Sequence, residues 1–385
     1  MENALATRVR ARLADLGSQG LLRTLRPPTG IDLASNDYLG LATHPRIVRR
    51  MAEAATRQGC GSTGSRLLRG HRETFAAIER RFAKLKQTER SLYFSSGYLA
   101  NLGVLSTLPE EGDVVFSDER NHASLIDGLR LSRASRVVFP HNDIAHLARA
   151  LDREDGEGQR FVVVESLFSM DGDFAPLREY ADVCRRAGAA LVVDEAHAVG
   201  VYGDDGSGLV RHFGVEDDVL LTVNTAGKAL GVAGAFVAGP AWAIDYLEQR
   251  ARSFVFSTAP PPALAAALEA SLDALAAEPE RRRVLDARVG YLRTRLSEAG
   301  VTLPADRSQI IPILVGENTA AVALAEALQM QGFDVRAIRP PTVPVGTARL
   351  RVSVNAAVSE EDLGRFVDVL QMCLREVERC GVASS

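Results

Sequence analysis

Apolar positions along the chain form short β-branched runs separated by stretches with helical spacing. The runs with strand character are Ser91–Phe94, Val114–Ser117, Arg136–Phe139, Phe161–Glu165, Leu191–Asp194, Leu220–Asn224 and Gly234–Ala238. Helical patterns such as Ala145–Leu151 and Leu177–Ala187 lie between several of them. Buried strands that alternate with helices are typical of a mostly parallel sheet with helices on both faces. The pattern predicts an α/β fold whose large domain contains a mostly parallel seven-stranded sheet covered by helices.

Both ends of the chain have a different pattern. From Met1 to about Arg26, Ala and Leu alternate with Arg, which predicts an amphipathic helix or arm. A long Ala- and Leu-rich helical stretch runs from Ala263 to about Leu296, and alternating strand-like and helical runs follow it. We therefore predict three parts: an N-terminal arm at 1–45, a large α/β domain at 46–270, and a smaller C-terminal α+β domain at 271–385.

Composition narrows the class of protein. The chain has 385 residues, of which 46% are hydrophobic and 24% charged, and its formal net charge is −4. Such a charge provides no polycation for nucleic acid or an anionic membrane, and the apolar runs are too short to span a bilayer. Four cysteines without CxxC spacing predict reduced thiols. We expect a cytoplasmic protein without nucleic-acid or membrane partners.

The clearest polar feature follows the run Leu191–Asp194, where Glu195, Ala196 and His197 come next. In open α/β sheets, ligands bind at the carboxyl ends of the strands, so Asp194 is a candidate ligand-binding acid. The chain contains no GxxxxGK[ST] loop and no GxGxxG fingerprint, which argues against P-loop and dinucleotide sites. No HExxH pattern occurs, and Asp194 with His197 cannot fill a tetrahedral zinc site, so we predict no metal.

An electron-sink cofactor fits these residues better. A carboxylate such as Asp194 can keep a pyridine nitrogen protonated, and a lysine amine in a partly desolvated place can form an imine. The chain has three lysines, which are Lys84, Lys86 and Lys228. Lys84 and Lys86 fall in a charged helical pattern and are expected to be solvated, whereas Lys228 lies in an apolar, glycine-rich segment. Lys228 is therefore the predicted cofactor lysine.

Several motifs point to a known family. They are Leu33–Leu41, Gly64–Arg66, Ser96–Tyr98, His122–Ser124, Phe168–Asp173, Asp194–His197, Thr225–Lys228 and Arg339–Arg351. With these motifs the chain resembles the α-oxoamine synthase family of fold-type I enzymes, which depend on pyridoxal 5′-phosphate (PLP). Arg339–Arg351 and the short N-terminal arm are most similar to the subgroup that makes 8-amino-7-oxononanoate. Family members often have a histidine shortly after this stretch, and the corresponding Asn355–Ser359 has none.

The resemblance implies roles for individual residues around PLP. Lys228 would form the imine with the cofactor and act as a base, Asp194 would pair with the pyridinium nitrogen, and His122 would stack on the ring. By itself, His122 would also fit a surface position. The other implied cofactor-binding residues are Gly97, Tyr98, Ser169, His197 and Thr225. Ser257 or Thr258 would be donated by a second subunit.

The resemblance also implies a reaction. L-alanine would condense with a pimeloyl thioester of coenzyme A or acyl carrier protein, giving 8-amino-7-oxononanoate, CO₂ and free thiol in biotin biosynthesis. Arg23 and Arg351 would bind carboxylates, His122 and Thr342 would line the substrate pocket, and the protein would be a homodimer. Glycine C-acetyltransferase, 5-aminolevulinate synthase and serine palmitoyltransferase activities use the same cofactor residues and remain alternatives, as does a noncatalytic scaffold or regulatory subunit on this fold.

Overall fold

The strands of the protein follow the predicted apolar runs closely. The computed structural model describes residues 3–154 and 156–382, so the predicted outer limits of the arm and of the small domain, at Met1 and Ser385, lie outside the described residues. The strands, in chain order, are β1 (Ile31–Asp32), β2 (Arg90–Phe94), β3 (Val114–Asp118), β4 (Ser135–Phe139), β5 (Arg160–Glu165), β6 (Ala190–Asp194), β7 (Val219–Thr225), β8 (Ala235–Gly239), β9 (Ile310–Gly316), β10 (Phe333–Asp334), β11 (Arg336–Ile338) and β12 (Ala348–Ser353). The helices are α1 (Ala4–Ser18), α2 (Pro45–Gln58), α3 (Glu73–Lys86), α4 (Gly97–Leu105), α5 (Ala123–Leu131), α6 (Ile144–Asp152), α7 (Leu177–Ala187), α8 (Leu209–His212), α9 (Ala241–Arg250), α10 (Arg252–Val255), α11 (Pro262–Ala277), α12 (Glu280–Glu298), α13 (Asn318–Met330) and α14 (Glu360–Val382).

Strands β2 to β8 form a seven-stranded sheet in the order β2-β8-β7-β6-β5-β3-β4. The pairs from β7 through β6, β5 and β3 to β4 are parallel, whereas β8 is antiparallel to both of its neighbours, β7 and β2. Each of the seven runs predicted from the sequence becomes one of these strands, and their ends agree to within one residue. The predicted mostly parallel seven-stranded sheet is therefore confirmed.

The core of this sheet explains why its strands are apolar along their whole length. Val163 of β5 and Val192 of β6 are buried in one cluster with Leu105 of α4 and Leu125 of α5, as expected when helices cover the sheet. Helix α4 packs against α5, β7 and β8, and α7 packs against β6. Because β3, β5, β6 and β7 run parallel, their carboxyl ends meet at one edge of the sheet. The residues at these ends are Asp118, Glu165, Asp194 and Thr225.

The chain divides into two compact units. The large unit consists of Asp37–Ser169 and Phe174–Arg282 and contains the seven-stranded sheet. The small unit consists of Met1–Asn36, Met170–Asp173 and Arg283–Ser385. It contains the antiparallel sheet β11-β12-β9, the parallel pair β1-β10, and helices α13 and α14, which pack against each other. The three-part division at residues 45 and 270 stays a prediction.

Two helices end earlier than the sequence pattern suggests. The stretch expected to be helical from Ala263 to Leu296 is two helices, α11 and α12, because Pro279 lies between them and cannot donate a backbone hydrogen bond. Helix α1 ends at Ser18, and Gly20 has a φ of 65°, in the left-handed region that favours glycine. Both breaks come from backbone geometry, which the Ala and Leu pattern does not encode.

Within residues 3–154 and 156–382, no helix combines the length and the apolar character needed to cross a bilayer. The same residues contain no group of three or more His, Cys, Asp or Glu side chains arranged to hold a metal ion. Cys60, Cys184 and Cys373 are free thiols. The side chain of Cys380 lies outside the described part of the chain.

Candidate active site

Lys228 lies in the segment that follows β7, at the carboxyl edge of the parallel strands. Its Nζ is 2.7 Å from Nε2 of His197, a side chain that is almost fully buried. The other ring nitrogen of His197, Nδ1, is 2.6 Å from the hydroxyl of the buried Tyr38. Tyr38 therefore orients the imidazole that contacts the amine of Lys228. Sequence reasoning missed this role, although Tyr38 belongs to one of the motifs that carry the family resemblance.

Asp194 ends strand β6, and its carboxylate is held from two sides. Oδ2 accepts a 2.7 Å hydrogen bond from Nδ2 of Asn101 on α4, and Oδ1 accepts a 2.8 Å hydrogen bond from the backbone N–H of Ala196. Asn101 also donates to the hydroxyl of Ser124, 2.9 Å away. Since Asp194 is buried, these neutral donors fix the direction of a carboxylate that water cannot solvate. Sequence reasoning did not identify Asn101.

His122 precedes helix α5 and caps it, because its Nδ1 accepts a 3.2 Å hydrogen bond from the backbone N–H of Ser124. The residue is exposed, as His122 by itself would suggest, yet partial desolvation of its imidazole lowers its pKa, Lys228 lowers it further, and Asp194 opposes the shift. The imidazole is therefore neutral at neutral pH, with its proton on Nε2 because Nδ1 is an acceptor. Hydrogen bonds link His122 to Asp194, because Nδ1 of His122 is 2.8 Å from the Ser124 hydroxyl, and Asn101 donates both to that hydroxyl and to Asp194.

Glu165 is a buried acid that sequence reasoning treated only as the end of a strand. It pairs in register with Asp194 on the neighbouring strand, and it is 3% exposed. The pKa of the Glu165 carboxyl is raised to about 8, chiefly by burial and also by Asp194, while Lys228 opposes the rise. The Glu165 carboxyl is therefore mostly protonated at pH 7. The neighbouring side chain of Asp194 accepts two hydrogen bonds.

Replacing Glu165 by glutamine should change the pH dependence of stability. The carboxyl has an ordinary pKa of 4.5 and a raised pKa of about 8 in the folded protein. The carboxyl therefore makes its full contribution to the free energy of unfolding below pH 4.5, and this contribution is lost as the pH rises towards 8. Glutamine cannot lose a proton, so the unfolding free energy of Glu165→Gln relative to the parent should rise between pH 5 and 8.5, by more than about 1 kcal/mol.

Thermal and urea denaturation at pH 5, 7 and 8.5 measure this difference. Glu119→Gln, at an exposed carboxyl beyond β3, is the matched control and should follow the parent protein at every pH. A constant difference between Glu165→Gln and the parent across this pH range would contradict a raised pKa at Glu165.

The start of helix α4 brings two predicted residues together. Ser96 caps the helix by accepting a 3.2 Å hydrogen bond from the backbone N–H of Leu99. Gly97 approaches Thr225 so closely that a Cβ at position 97 would collide with the threonine hydroxyl. The first N–H groups of a helix have no partner within the helix and bind phosphate well. The phenol of Tyr98 is partly exposed and donates to Asp127, and the predicted contact of Tyr98 with the cofactor stays a prediction.

Three other predicted residues lie in the large unit. Ser169 follows β5 and is 8% exposed. Thr258 is exposed and forms an isolated β-bridge with Ser65, and Ser257 precedes it in a half-buried position. Their predicted contacts with the cofactor, and the donation of Ser257 or Thr258 by a second subunit, stay predictions.

The predicted carboxylate-binding residues belong to the small unit, where they form two separate contacts. Arg23 donates a 3.2 Å hydrogen bond to the hydroxyl of Thr342. Arg351 is 7% exposed and donates to the side-chain oxygens of Asn36, at 3.1 Å, and Ser353, at 2.6 Å. The structure therefore brings Arg23 and Thr342 together, and their roles in substrate binding stay predictions. Arg351 lies on β12, and Asn36 and Ser353 help to hold its guanidinium.

The sequence pattern of the family named Aminotransferase class I and II matches residues 28–370. The chain belongs to this family. The 8-amino-7-oxononanoate synthase of Geobacter sulfurreducens is 45% identical over 385 residues, covering 96% of this chain and 98% of that protein. A serine palmitoyltransferase from S. paucimobilis, solved with PLP and myriocin bound, has a TM-score of 0.91 at 29% identity and covers 98% of this chain and 100% of its own. An 8-amino-7-oxononanoate synthase from Francisella tularensis has a TM-score of 0.78 at 28% identity, with 90% and 98% covered.

Membership of the class I and II aminotransferase family confirms the resemblance predicted from the motifs. Curated 8-amino-7-oxononanoate synthases match the chain at 43 to 47% identity over most of its length. The fold-type I architecture that the resemblance implies is confirmed as well. The roles of individual site residues stay predictions, and they rest on the distances and burial described above.

Proposed function

We propose that this chain is a PLP-dependent acyltransferase of biotin biosynthesis. It condenses L-alanine with a pimeloyl thioester and releases CO₂ and the free thiol, giving 8-amino-7-oxononanoate. The observation that carries the chemistry is the contact of the Lys228 amine with buried His197. His197 is three residues after the carboxylate of Asp194, which hydrogen bonds through Asn101 and Ser124 link to the neutral ring of His122. The choice of substrates is supported by the names of the curated relatives at 43 to 47% identity.

The residues present fit PLP. The residues include one amine, one buried carboxylate and one neutral imidazole. Gly97 begins helix α4, whose first N–H groups can bind a phosphate, and a Cβ at this position would collide with the hydroxyl of Thr225. When bound, PLP supplies an electron sink for the charge that develops at the amino-acid Cα. Lys228 would hold its aldehyde carbon, Asp194 its pyridine nitrogen, and His122 its ring face. The ring substituents and phosphate would be held by His197, Ser169, Gly97, Tyr98 and Thr225.

Lys228, held by its neighbours, transfers the proton at the Cα of alanine. The Nζ of Lys228 is the group that accepts the proton from the Cα of alanine and returns it to the product. Nε2 of His197, 2.7 Å away, keeps this amine in place, and the hydroxyl of Tyr38 fixes the orientation of the imidazole through Nδ1. Because Tyr38 and His197 are buried, water does not compete for these contacts.

Carboxylates of the substrates would be bound by arginines of the small unit. Arg351 is nearly buried, so its guanidinium is already desolvated, and a bidentate contact to a carboxylate is strong in such surroundings. Arg23 and Arg339 line a cavity of about 260 Å³. Burial lowers the pKa of Arg339, and the positive charge of Arg23 lowers it further. Arg26 and Arg336 line the same cavity together with one acid, Glu326, so the excess of positive charge favours an anion such as a substrate carboxylate.

The assembly and location of the protein complete the proposal. A cytoplasmic location is supported by the family resemblance. A homodimer is supported by the resemblance and by two exposed apolar side chains, Leu68, 82% exposed, and Phe256, 73% exposed. Phe256 precedes Ser257 and Thr258, the residues proposed to complete the site of the other subunit. The acyl donor would be a thioester of coenzyme A or of acyl carrier protein.

A substrate panel tests the proposed function. Alanine, glycine and serine would each be paired with pimeloyl, acetyl, succinyl and palmitoyl thioesters, and product formation would be followed by mass spectrometry. Alanine with pimeloyl thioester should have the highest kcat/KM, by at least about tenfold over each other pair, because a mismatched chain length or side chain costs 1–3 kcal/mol in a fitted pocket. A preference for glycine with acetyl or succinyl thioester, or for serine with palmitoyl thioester, would contradict the proposal.

A further inference from the structure

Two oppositely charged residues are buried in the large unit, and one of them is the sequence neighbour of Asp194. Lys86, the last residue of α3, is 2% exposed, and Glu195, which directly follows Asp194, is fully buried. The Nζ of Lys86 donates to Oε2 of Glu195 and to the backbone carbonyl of Ser207. The expectation that Lys86 is solvated is therefore wrong, whereas Lys84 on the same helix is exposed as expected.

The carboxylate of Glu195 is enclosed by other parts of the same unit. Its Oε1 accepts a 2.9 Å hydrogen bond from the backbone N–H of Val210. Gly208 has a φ of 109°, and a Cβ at this position would meet the Glu195 carboxylate. The pair therefore joins the end of α3, the turn after β6 and the segment before α8. No space is left for Glu195 to adopt a second arrangement without moving one of them.

The backbone around Glu195 is the backbone that carries the cofactor residues. The N–H of Glu195 donates to the carbonyl of Val223 on β7, at 2.7 Å. The carbonyl of Glu195 accepts from the N–H of Ala198, at 2.9 Å, which closes a turn around His197. Asp194 is one residue before Glu195 and His197 is two residues after it, so any displacement of Glu195 moves both functional side chains.

Stability alone gives little reason for such a pair. Removing two charges from water is costly, and well-packed apolar residues of similar volume often serve a fold equally well or better. A buried pair differs from an apolar contact in being specific, because separating the ammonium from the carboxylate would leave two unpaired charges away from water. Glu195 directly follows Asp194, so this specific contact can hold the backbone next to Asp194.

We propose that Lys86 and Glu195 are positioning residues, which hold the turn after β6 so that Asp194 and His197 keep their places around Lys228. The proposal rests on the PLP chemistry proposed above. Neither residue touches the cofactor or a substrate in this role. Lys86 acts through Glu195, and Glu195 acts through the backbone of the turn.

The test compares a paired apolar replacement with its single variants in the holoenzyme. Lys86→Met with Glu195→Leu removes both charges, and each single variant leaves one charge buried alone. The double variant should melt higher than either single variant, since neither side chain is left as an unpaired charge. Its kcat for alanine and pimeloyl thioester should nevertheless fall about 10- to 100-fold, as expected for a small misplacement of catalytic groups.

Two readouts separate positioning from general loss of structure. The absorbance of the bound cofactor, titrated with pH, should give a shifted midpoint in the double variant, because Asp194 and His197 set the charge around the chromophore. Amide hydrogen exchange in the segment 194–198 should become faster, while exchange in β3 and β5 stays unchanged. Lys84→Met, at the exposed lysine of the same helix, is the matched control and should match the parent in all of these measurements.

Glu195→Asp is the second variant, in case the double variant does not fold. It keeps the charge and shortens the side chain by one methylene, so the turn should shift and the cofactor titration midpoint should move in the same direction. A folded double variant or Glu195→Asp with the parental titration midpoint and kcat would overturn the positioning role. A parent protein without a borohydride-sensitive chromophore would instead overturn the proposed function itself.

Discussion

Lys228→Ala is expected to lose condensation activity by at least about 10³-fold, because the variant lacks the amine that moves the proton at the alanine Cα. The side chain is half-buried, and its removal leaves the contact between Tyr38 and His197 in place, so the fold should be retained. Product formation from alanine and pimeloyl thioester is the direct measurement. The ultraviolet–visible spectrum of the purified protein gives a second one, since the covalently held chromophore that borohydride bleaches should be absent.

Lys84→Ala is the matched control for this experiment. It removes an exposed lysine from α3 and should leave both the chromophore and the rate unchanged. A Lys228→Ala protein that turns over both substrates at the parental rate would sink the assignment of Lys228 as the base. A colourless parent protein that stays colourless with added PLP would favour the noncatalytic scaffold.

The large sheet could be predicted from the sequence because its strands are buried on both faces. Such strands are apolar at nearly every position, and each run therefore stands out against the helices around it. The direction of β8 could not be predicted. Ala235–Gly239 has the same apolar composition in either orientation, and its antiparallel pairing depends on contacts with β2 and β7, which are remote in sequence.

The site was predictable where a functional residue adjoins an apolar run. Asp194 ends β6 and Lys228 follows β7, so both are placed at the same edge by the sheet alone. The direct contact between Lys228 and His197, which are 31 positions apart, was not predicted, because the resemblance placed His197 only at the ring substituents of the cofactor. The sequence pattern located the residues, and the fold supplied their distances.

The burial of Lys86 and the surroundings of Glu165 could not be predicted from the sequence. Lys86 lies in a helix rich in charged residues, and nothing within that helix distinguishes a lysine that is solvated from one that is buried. Its burial depends on Glu195, 109 positions later, which neutralises the charge inside the protein. Glu165 resembles an ordinary strand end until the parallel pairing with Asp194 brings two buried carboxyls side by side. Both cases depend on a counter-charge or a like charge that only the folded chain provides.

Asp194→Asn is expected to lower kcat by about 10²- to 10³-fold, because an amide has no charge with which to hold a proton on the pyridine nitrogen. The two side chains have the same shape, and the amide oxygen of the variant can still accept from Asn101 or from the backbone N–H of Ala196. The fold and the substrate KM values should therefore change little. Steady-state kinetics with alanine and pimeloyl thioester, together with the pH titration of the chromophore, separate these effects.

Glu165→Gln is the matched control for this variant, since Glu165 and Asp194 pair in register at the ends of β5 and β6. Burial raises the pKa of Glu165 to about 8, so its carboxyl is mostly neutral at pH 7, and its replacement by a neutral amide should change kcat by less than about threefold. Parental kcat in Asp194→Asn would remove Asp194 from its proposed role. A loss in Glu165→Gln as large as that in Asp194→Asn would mean that Glu165 carries the charge on which the chemistry depends.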